Sequence, residues 1–456
     1  MEQLTQNLKD GKMELLEVPY PVLSKGRILV RNHYSLISAG TEGKTVKDAR
    51  LGYIGKARAR KEEVKKVIQA AQTYGIKDTY RMVMNKLDAP SSLGYSCAGE
   101  VIAVADDVTE FNIGDKVACA GPTAAHAEVV AVPVNLCVKV PGLVSLMDAS
   151  FATVGAIAMQ GVRQADLRLG ESCAVIGLGL VGQLTVQLLK ASGVKVVGID
   201  LDDRMIELAV KNGCDLSMNR EQEQLEQQIS HFTGGYGVDA VIITAGSSST
   251  DPVDLAGAIS RKKGLVVVVG GVPTGFKRPN YFKKELDLRM SSSYGPGRYD
   301  PEYEEHGHDY PYGYVRWTEN RNMLSFLELI SQDSVDLSNI ITHEFEFRNA
   351  PDAYDIVVNR SESFSGIVLR YDTTKEIRSS VKLPSEKQYS SSDPSLGLIG
   401  AGSFGQNFLL PALKEKARMV TVVTARPNNA VNIARKFGFE NAEGDTEKVF
   451  NDPDIN

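Results

Sequence analysis

Three glycines, Gly177, Gly179 and Gly182, punctuate the segment CAVIGLGLVGQLTVQLLKASGVKVVGID, residues 173–200. An apolar run that reads as a strand precedes them, and a periodic run that reads as a helix follows. In a G-x-G-x-x-G turn of this kind the first glycine permits the tight reversal. The second lets a pyrophosphate approach the backbone, and the third lets helix and strand pack closely. The N–H groups that open the helix, around Leu180 and Val181, then face the anion. Asp200 ends the next strand eighteen residues past Gly182, placed to accept hydrogen bonds from the ribose hydroxyls of NAD. A 2′-phosphate would meet a carboxylate there, so NAD is favoured over NADP. Asp200 could also cap the helix that follows, a role that does not conflict with this one. Ala245, Gly246 and Gly271, at the ends of later strands, complete the candidate cofactor set.

Two further stretches carry chemistry. LGLIGAGSFGQNF, residues 396–408, repeats the turn with Gly400, Gly402 and Gly405. Its second strand ends VTARPNN, with no acid where Asp200 stands in the first unit; Arg426 could meet a 2′-phosphate, so NAD or NADP could bind. Fifty-one residues follow Gly405, whereas a doubly wound domain needs roughly two to three times that. The expectation is an incomplete unit. The other stretch is SSSYGPGRYDPEYEEHGHDYPYGYVRWTENRNM, residues 291–323. It gathers Tyr294, Arg298, Tyr299, Arg316 and Trp317 in an irregular Gly/Pro-rich run. Aromatics with polar ends and arginines suit a sugar or a phosphate. The same composition suits a structured surface loop or an oligomer contact.

The elements that must position these residues follow from pattern. The first 140 residues read mostly as short strands, among them GRILVRNHYSLI, GEVIAVADDV and GDKVACAG. Residues 44–66 interrupt them with nine Lys or Arg against three acids at helical periodicity. That is a solvated face or a lid over an anionic substrate. From Gly170, strands alternate with helices, which predicts a parallel sheet with right-handed crossovers. Residues 371–395, rich in Ser, Lys and Glu, read as a linker. The predicted organisation is a catalytic lobe over 1–145 with a basic helical insertion at 44–88. A nucleotide-binding domain at 146–295 follows, then a return segment at 296–370, the linker, and a partial second unit at 396–456.

The 456 residues carry 43% hydrophobic and 24% charged residues and a net charge of −6. That excludes bulk electrostatic attraction to nucleic acid. The polar start MEQLTQNLKDGKMELLEV has no apolar signal region. The most apolar run, GLVVVVGGV, suits a buried parallel strand and is too short for a bilayer. The expectation is a cytoplasmic, membrane-free protein with a small-molecule partner, assembling as a homo-oligomer. The five cysteines, Cys97, Cys119, Cys137, Cys173 and Cys214, form no C-x-x-C pair and read as buried small residues.

The order of a β-rich lobe, a Rossmann unit and a return segment, with SAGTE at 38–42, LGYSCAGEV at 93–101, GDKVA at 114–118 and VDAVIITAG at 238–246, resembles the medium-chain dehydrogenase/reductase family. The resemblance covers Met1 to about Tyr371. It implies an α/β fold: a GroES-like β-barrel lobe on a Rossmann doubly wound sheet, with the active site between them. Zinc members carry Cys-Gly-Ser/Thr-Asp and Gly-His-Glu in the first two segments. Here these are Ala39-Gly40-Thr41-Glu42 and Gly94-Tyr95-Ser96, so no metal ligand is expected and the close pair His306 and His308 reads as a loop. Thr41 stands at the family's hydroxyl relay position. Tyr95 and Ser96 take the vacated ligand positions, which makes Tyr95 the leading candidate for the proton donor, or a filler of the metal's volume. The 291–323 segment and the second turn resemble bi-domain oxidoreductases of surface-polysaccharide biosynthesis, in which such a dehydrogenase is fused to a Gfo/Idh/MocA-type dehydrogenase. The implied function is NAD-dependent, zinc-independent alcohol/carbonyl oxidoreduction on a sugar or nucleotide sugar. Quinone or enoyl C=C reduction, or a non-catalytic nucleotide-binding scaffold or redox sensor, remain open beside it.

Overall fold

A computed structural model describes residues 1–59, 61–378, 380–384, 394–414 and 416–455. Residues 385–393 of the expected linker lie outside the described residues. The nucleotide-binding sheet has six parallel strands in the order Leu216–Asn219, Lys195–Asp200, Ser172–Ile176, Val238–Ile243, Ser260–Val268 and Asp287–Met290. Ser172–Ile176 is buried along its whole length, as a strand covered on both faces must be. Strand order reverses beside it, between Lys195–Asp200 and Val238–Ile243. The crevice outside such a switch point is where doubly wound sheets bind ligands.

The lobe is built on the long strand Arg27–Ile37. It pairs antiparallel with Ser96–Val104, Val129–Pro133 and Gly366–Arg370. The last of these arrives only after the whole nucleotide-binding sheet, and Ile341–Glu346 lies parallel beside it. The return segment therefore completes the lobe's sheet. A small antiparallel sheet of Met13–Glu17, Glu2–Asn7 and Pro90–Ser92 sits alongside. The basic insertion is a run of four helices, Thr41–Arg50, Tyr53–Ala59, Lys61–Tyr74 and Ile76–Asp88. Glu63 pairs with Lys66 at 3.1 Å and Lys86 at 2.8 Å, which balances part of its charge.

One local expectation is corrected. The tract expected to be a linker is anchored at its start. Tyr371 is buried and its hydroxyl meets Ser35 Oγ at 2.8 Å. Lys375 pairs with Glu2 and Glu128. Ser380–Lys382 then runs antiparallel to Asn441–Glu443 as an edge strand of a four-stranded C-terminal sheet, with Val381 buried. Main-chain pairing asks little of side-chain type, so a polar composition concealed it. The helix that follows the second turn carries a π turn, Gly405–Leu409, ahead of an α turn, Leu410–Leu413. Pro411 has no N–H to give and crowds the preceding turn, which opens the helix at that point.

The C-terminal sheet docks on the lobe. Arg81 donates to Asn407 O at 3.0 Å, Asn85 Nδ2 to Asn407 Oδ1 at 2.6 Å, and Asn428 Nδ2 to Pro90 O at 2.9 Å. Asn407 and Asn428 are both buried. Among the described residues, no helix is long and apolar enough to cross a membrane.

Candidate active site

The first glycine turn is sterically closed on two sides and open on one. Gly177 has φ +96°, and a Cβ there would lie 2.6 Å from Ala245 N. A Cβ on Gly182 would lie 2.0 Å from Gly177 O. On Gly179 it would meet nothing within 4 Å. Gly179 is also the N-cap of the helix Leu180–Ala191, whose first N–H groups have no intrahelical acceptor. The turn thus offers a bare cradle at a helix start, which fits a dinucleotide pyrophosphate. Asp200 Oδ2 accepts from Leu178 N–H at 2.5 Å, while Oδ1 accepts from Leu201 and Asp202 N–H at 2.7 and 3.0 Å. The carboxylate is therefore held beside the turn. The N-cap role considered for Asp200 falls instead to Asp202, which accepts from Arg204 N–H. Ala245 packs on Gly177. Gly246 and Gly271 face open space at the adjacent strand ends, and Ser247 N–H donates to Gly271 O at 3.1 Å.

Thr41 and Tyr95 line a cleft together with Gly121, Ile157 and Val269. The Tyr95 hydroxyl donates to Ser38 Oγ at 2.6 Å. Burial pushes its pKa up to about 12, against the opposing hydrogen bond to Ser38. Its proton is shared with Ser38, and burial makes the phenol a weaker acid than free tyrosine. Ser96 is a correction: it is buried, and its hydroxyl donates to Ser150 O at 2.6 Å, away from the cleft. Ser96 opens the strand Ser96–Val104, whereas Tyr95 belongs to the loop before it.

Behind Tyr95 lies a buried polar network. Glu42 Oε1 accepts from Ser38 N–H at 2.8 Å, and Oε2 accepts from Gly94 N–H at 2.8 Å and from the Tyr354 hydroxyl. His126 Nε2 is 3.3 Å from Glu42 Oε2, and His126 Nδ1 meets Ser35 Oγ at 2.7 Å. Burial alone would raise the Glu42 pKa. The His126 charge and the hydrogen bonds outweigh it and hold the carboxyl below its ordinary range. This network fixes the Gly94–Tyr95 backbone. The fold type implies a zinc, but the donor set does not fit one. Ala39 has no ligating atom, Tyr95 is turned to Ser38, and Glu42 is committed to four partners. Among the described residues, no group of three or more His, Cys, Asp or Glu is arranged to hold a metal.

The aromatic–arginine segment divides. Tyr294, Arg298 and Tyr299 line the same cleft as Tyr95. Arg298 pairs with Glu304 at 2.5 Å. Arg316 and Trp317 do not line it: Trp317 is sandwiched between the guanidinium groups of Arg163 and Arg316, 3.3 and 3.7 Å from its ring centroid. The cleft, about 1940 Å³, continues along the helical insertion past Lys66 and Lys86 to Ser403, Gln406 and Arg426 beside the second turn. Gly400 has φ +78°, yet a Cβ on Gly400, Gly402 or Gly405 would meet nothing within 4 Å.

Known proteins place these features. A sequence model of the alcohol dehydrogenase GroES-like domain matches residues 65–142, and one of the zinc-binding dehydrogenase matches residues 181–305. D-guloside 3-dehydrogenase of Shigella flexneri is 28% identical over 267 residues, 58% of this chain and 72% of that protein. Sorbitol dehydrogenase of Halalkalibacterium halodurans is 23% identical over 312 residues, 59% of this chain and 80% of that protein. The alcohol dehydrogenase TADH from Thermus sp. ATN1 shares the fold, with a TM-score of 0.61 at 20% identity over 82% of this chain and 100% of that one. The chain thus carries a GroES-like and a nucleotide-binding domain similar to those of the medium-chain alcohol dehydrogenases, which makes it a dehydrogenase-type oxidoreductase.

Proposed function

We propose that this chain interconverts an alcohol and a carbonyl on a sugar or polyol, with NAD as its cofactor and without a catalytic zinc. The observation that carries the reading is the Tyr95 hydroxyl, held by Ser38 and lining one cleft together with Thr41 and the Tyr294–Arg298 loop. Bound NAD supplies the exchange of hydride with the substrate carbon. In the reducing direction the substrate oxygen lies against Tyr95, whose hydroxyl gives up its proton as charge builds on that oxygen. Ser38 and Thr41 hold the phenol in place. Relatives named for guloside and sorbitol oxidation support a polyhydroxylated substrate. A nucleotide sugar of polysaccharide biosynthesis is the narrower version and rests on the resemblance of the 291–323 loop.

Asp200, held at the first turn, supports NAD over NADP. The second turn is read as the opening of a Gfo/Idh/MocA-like unit, with Arg426 its candidate phosphate contact. Parallel strands on either side of it and its place on the same cleft support this.

The test is turnover of sorbitol, free hexoses and nucleotide sugars with NAD, followed as NADH absorbance. Tyr95→Phe is expected to lower kcat by about 100-fold or more while NADH affinity holds. Chelators leave the rate intact. Stoichiometric zinc that is lost together with activity, or turnover of an enone and of no alcohol, overturns the reading.

A further inference from the structure

Four polar atoms near the Tyr95 end of the cleft are buried with no hydrogen-bond partner: Tyr294 OH, Arg298 Nε, and Glu319 Oε1 and Oε2. Tyr294 is 2% exposed and Glu319 is 0% exposed. They belong together. Glu319 opens the helix Glu319–Ser331, and its N–H donates to Pro296 O at 2.9 Å, inside the loop that carries Tyr294 and Arg298. Tyr294 and Arg298 line the cleft. The Tyr294 hydroxyl lies 3.5 Å from where a Cβ on Gly121 would sit, and Gly121 N–H donates to Tyr95 O at 3.1 Å. Buried polar atoms are nearly always partnered. Orphans gathered at the wall of a catalytic cleft mark a place where a ligand supplies the partners.

We propose that Tyr294, Arg298 and Glu319 form a subsite for an uncharged, hydroxyl-bearing part of the substrate, and that this subsite discriminates against a phosphate ester. The proposal rests on the sugar or polyol reading above and names the part of the substrate that is recognised. Tyr294 and Arg298 touch the substrate. Glu319, set behind them, is a positioning residue. A hydroxyl both donates and accepts, which suits a phenol beside a guanidinium N–H. A phosphate suits it badly, because Glu304 already neutralises Arg298 at 2.5 Å. Burial, with the Glu304 charge, pushes Glu319 up to about 9 while Arg298 opposes. It is then an uncharged acid at neutral pH. Arg298, Glu304, Tyr294, Tyr303 and Tyr310 are the titratable groups that face it.

The experiment is steady-state oxidation of sorbitol, a neutral methyl hexoside and a hexose 6-phosphate by the intact chain with NAD, from pH 6 to 10. A neutral substrate is expected to show a KM at least about tenfold below the phosphate ester's. That KM should rise about tenfold between pH 8 and 10 as Glu319 ionises. Glu319→Gln should flatten the alkaline rise and keep part of the affinity that Glu319→Leu loses. Tyr294→Phe should raise KM about tenfold with little change in kcat, the signature of a binding rather than a chemical role. Equilibrium unfolding supplies a readout that needs no substrate. A carboxyl whose folded pKa is raised costs stability progressively as pH climbs from its ordinary value toward 9, so the wild type should weaken over that range relative to Glu319→Gln. Preference for the phosphate ester, a flat wild-type KM, or a rise that survives Glu319→Gln overturns the subsite alone. Turnover of none of these compounds, with NADH still bound, overturns the substrate reading and the subsite with it.

Discussion

A methyl group added to Gly182 would stand 2.0 Å from Gly177 O; added to Gly405, it would meet nothing within 4 Å. The two turns share their glycine spacing and differ in what packs against them. The first leads into a 12-residue helix laid on a six-stranded sheet. The second leads into a π turn and a single α turn beside a four-stranded sheet. The third glycine of such a motif is required only where helix and strand come into contact. At the first turn that contact exists. At the second, among the described residues, it does not. Glycine spacing describes the chain, whereas the constraint resides in the neighbours.

The comparison can be broken at several strengths. The largest effect belongs to Gly182→Ala. The added carbon cannot avoid a backbone oxygen, so NADH affinity should fall by about 100-fold or more, and stability by about 1–3 kcal/mol. Fluorescence titration and urea unfolding measure both, and a loss below about threefold would show that the turn can open. Asp200→Ala comes next. The NADH-to-NADPH preference should shrink by about 10- to 100-fold, the scale of a charged hydrogen bond of about 1–3 kcal/mol. Equal affinities in the wild type would remove Asp200 from cofactor choice. The smallest effect is expected of Gly405→Ala. With open space around it and a better helix former in place, stability should change by less than about 1 kcal/mol, in the stabilising direction. A larger loss would reveal a neighbour that the described residues lack.

The first turn was legible because its strand, glycines, helix and acid all lie within residues 173–200. Tyr95 and Thr41 were legible only through the resemblance, since nothing near either residue announces a cleft. The network behind them had no sequence signal. Ser35 meets His126 across 91 residues and Tyr371 across 336, and a lone histidine or tyrosine in an apolar strand looks like core. Glu319 was missed for a different reason. An acid at the start of a helix reads as a solvated partner of the helix dipole, and only tertiary packing removes its water. Arg316 and Trp317 were grouped with the cleft on composition, but their stack with Arg163 gives them a partner within the fold. The Ser96 hydroxyl is spent on Ser150 O, a partner 54 residues away that no local pattern shows.

One consequence of the lobe's sheet concerns time rather than geometry. Arg27–Ile37 needs Gly366–Arg370 at its flank, and Tyr371 must reach Ser35 before the network behind Tyr95 closes. During synthesis, the six strands between Ser172 and Met290 emerge as one uninterrupted stretch and can assemble while the lobe is still missing an edge. Contacts of such long sequence separation form late and slowly. The network behind Tyr95 cannot close until residue 371 is available, so a ribosome-bound chain that has not yet released it carries an unclosed lobe.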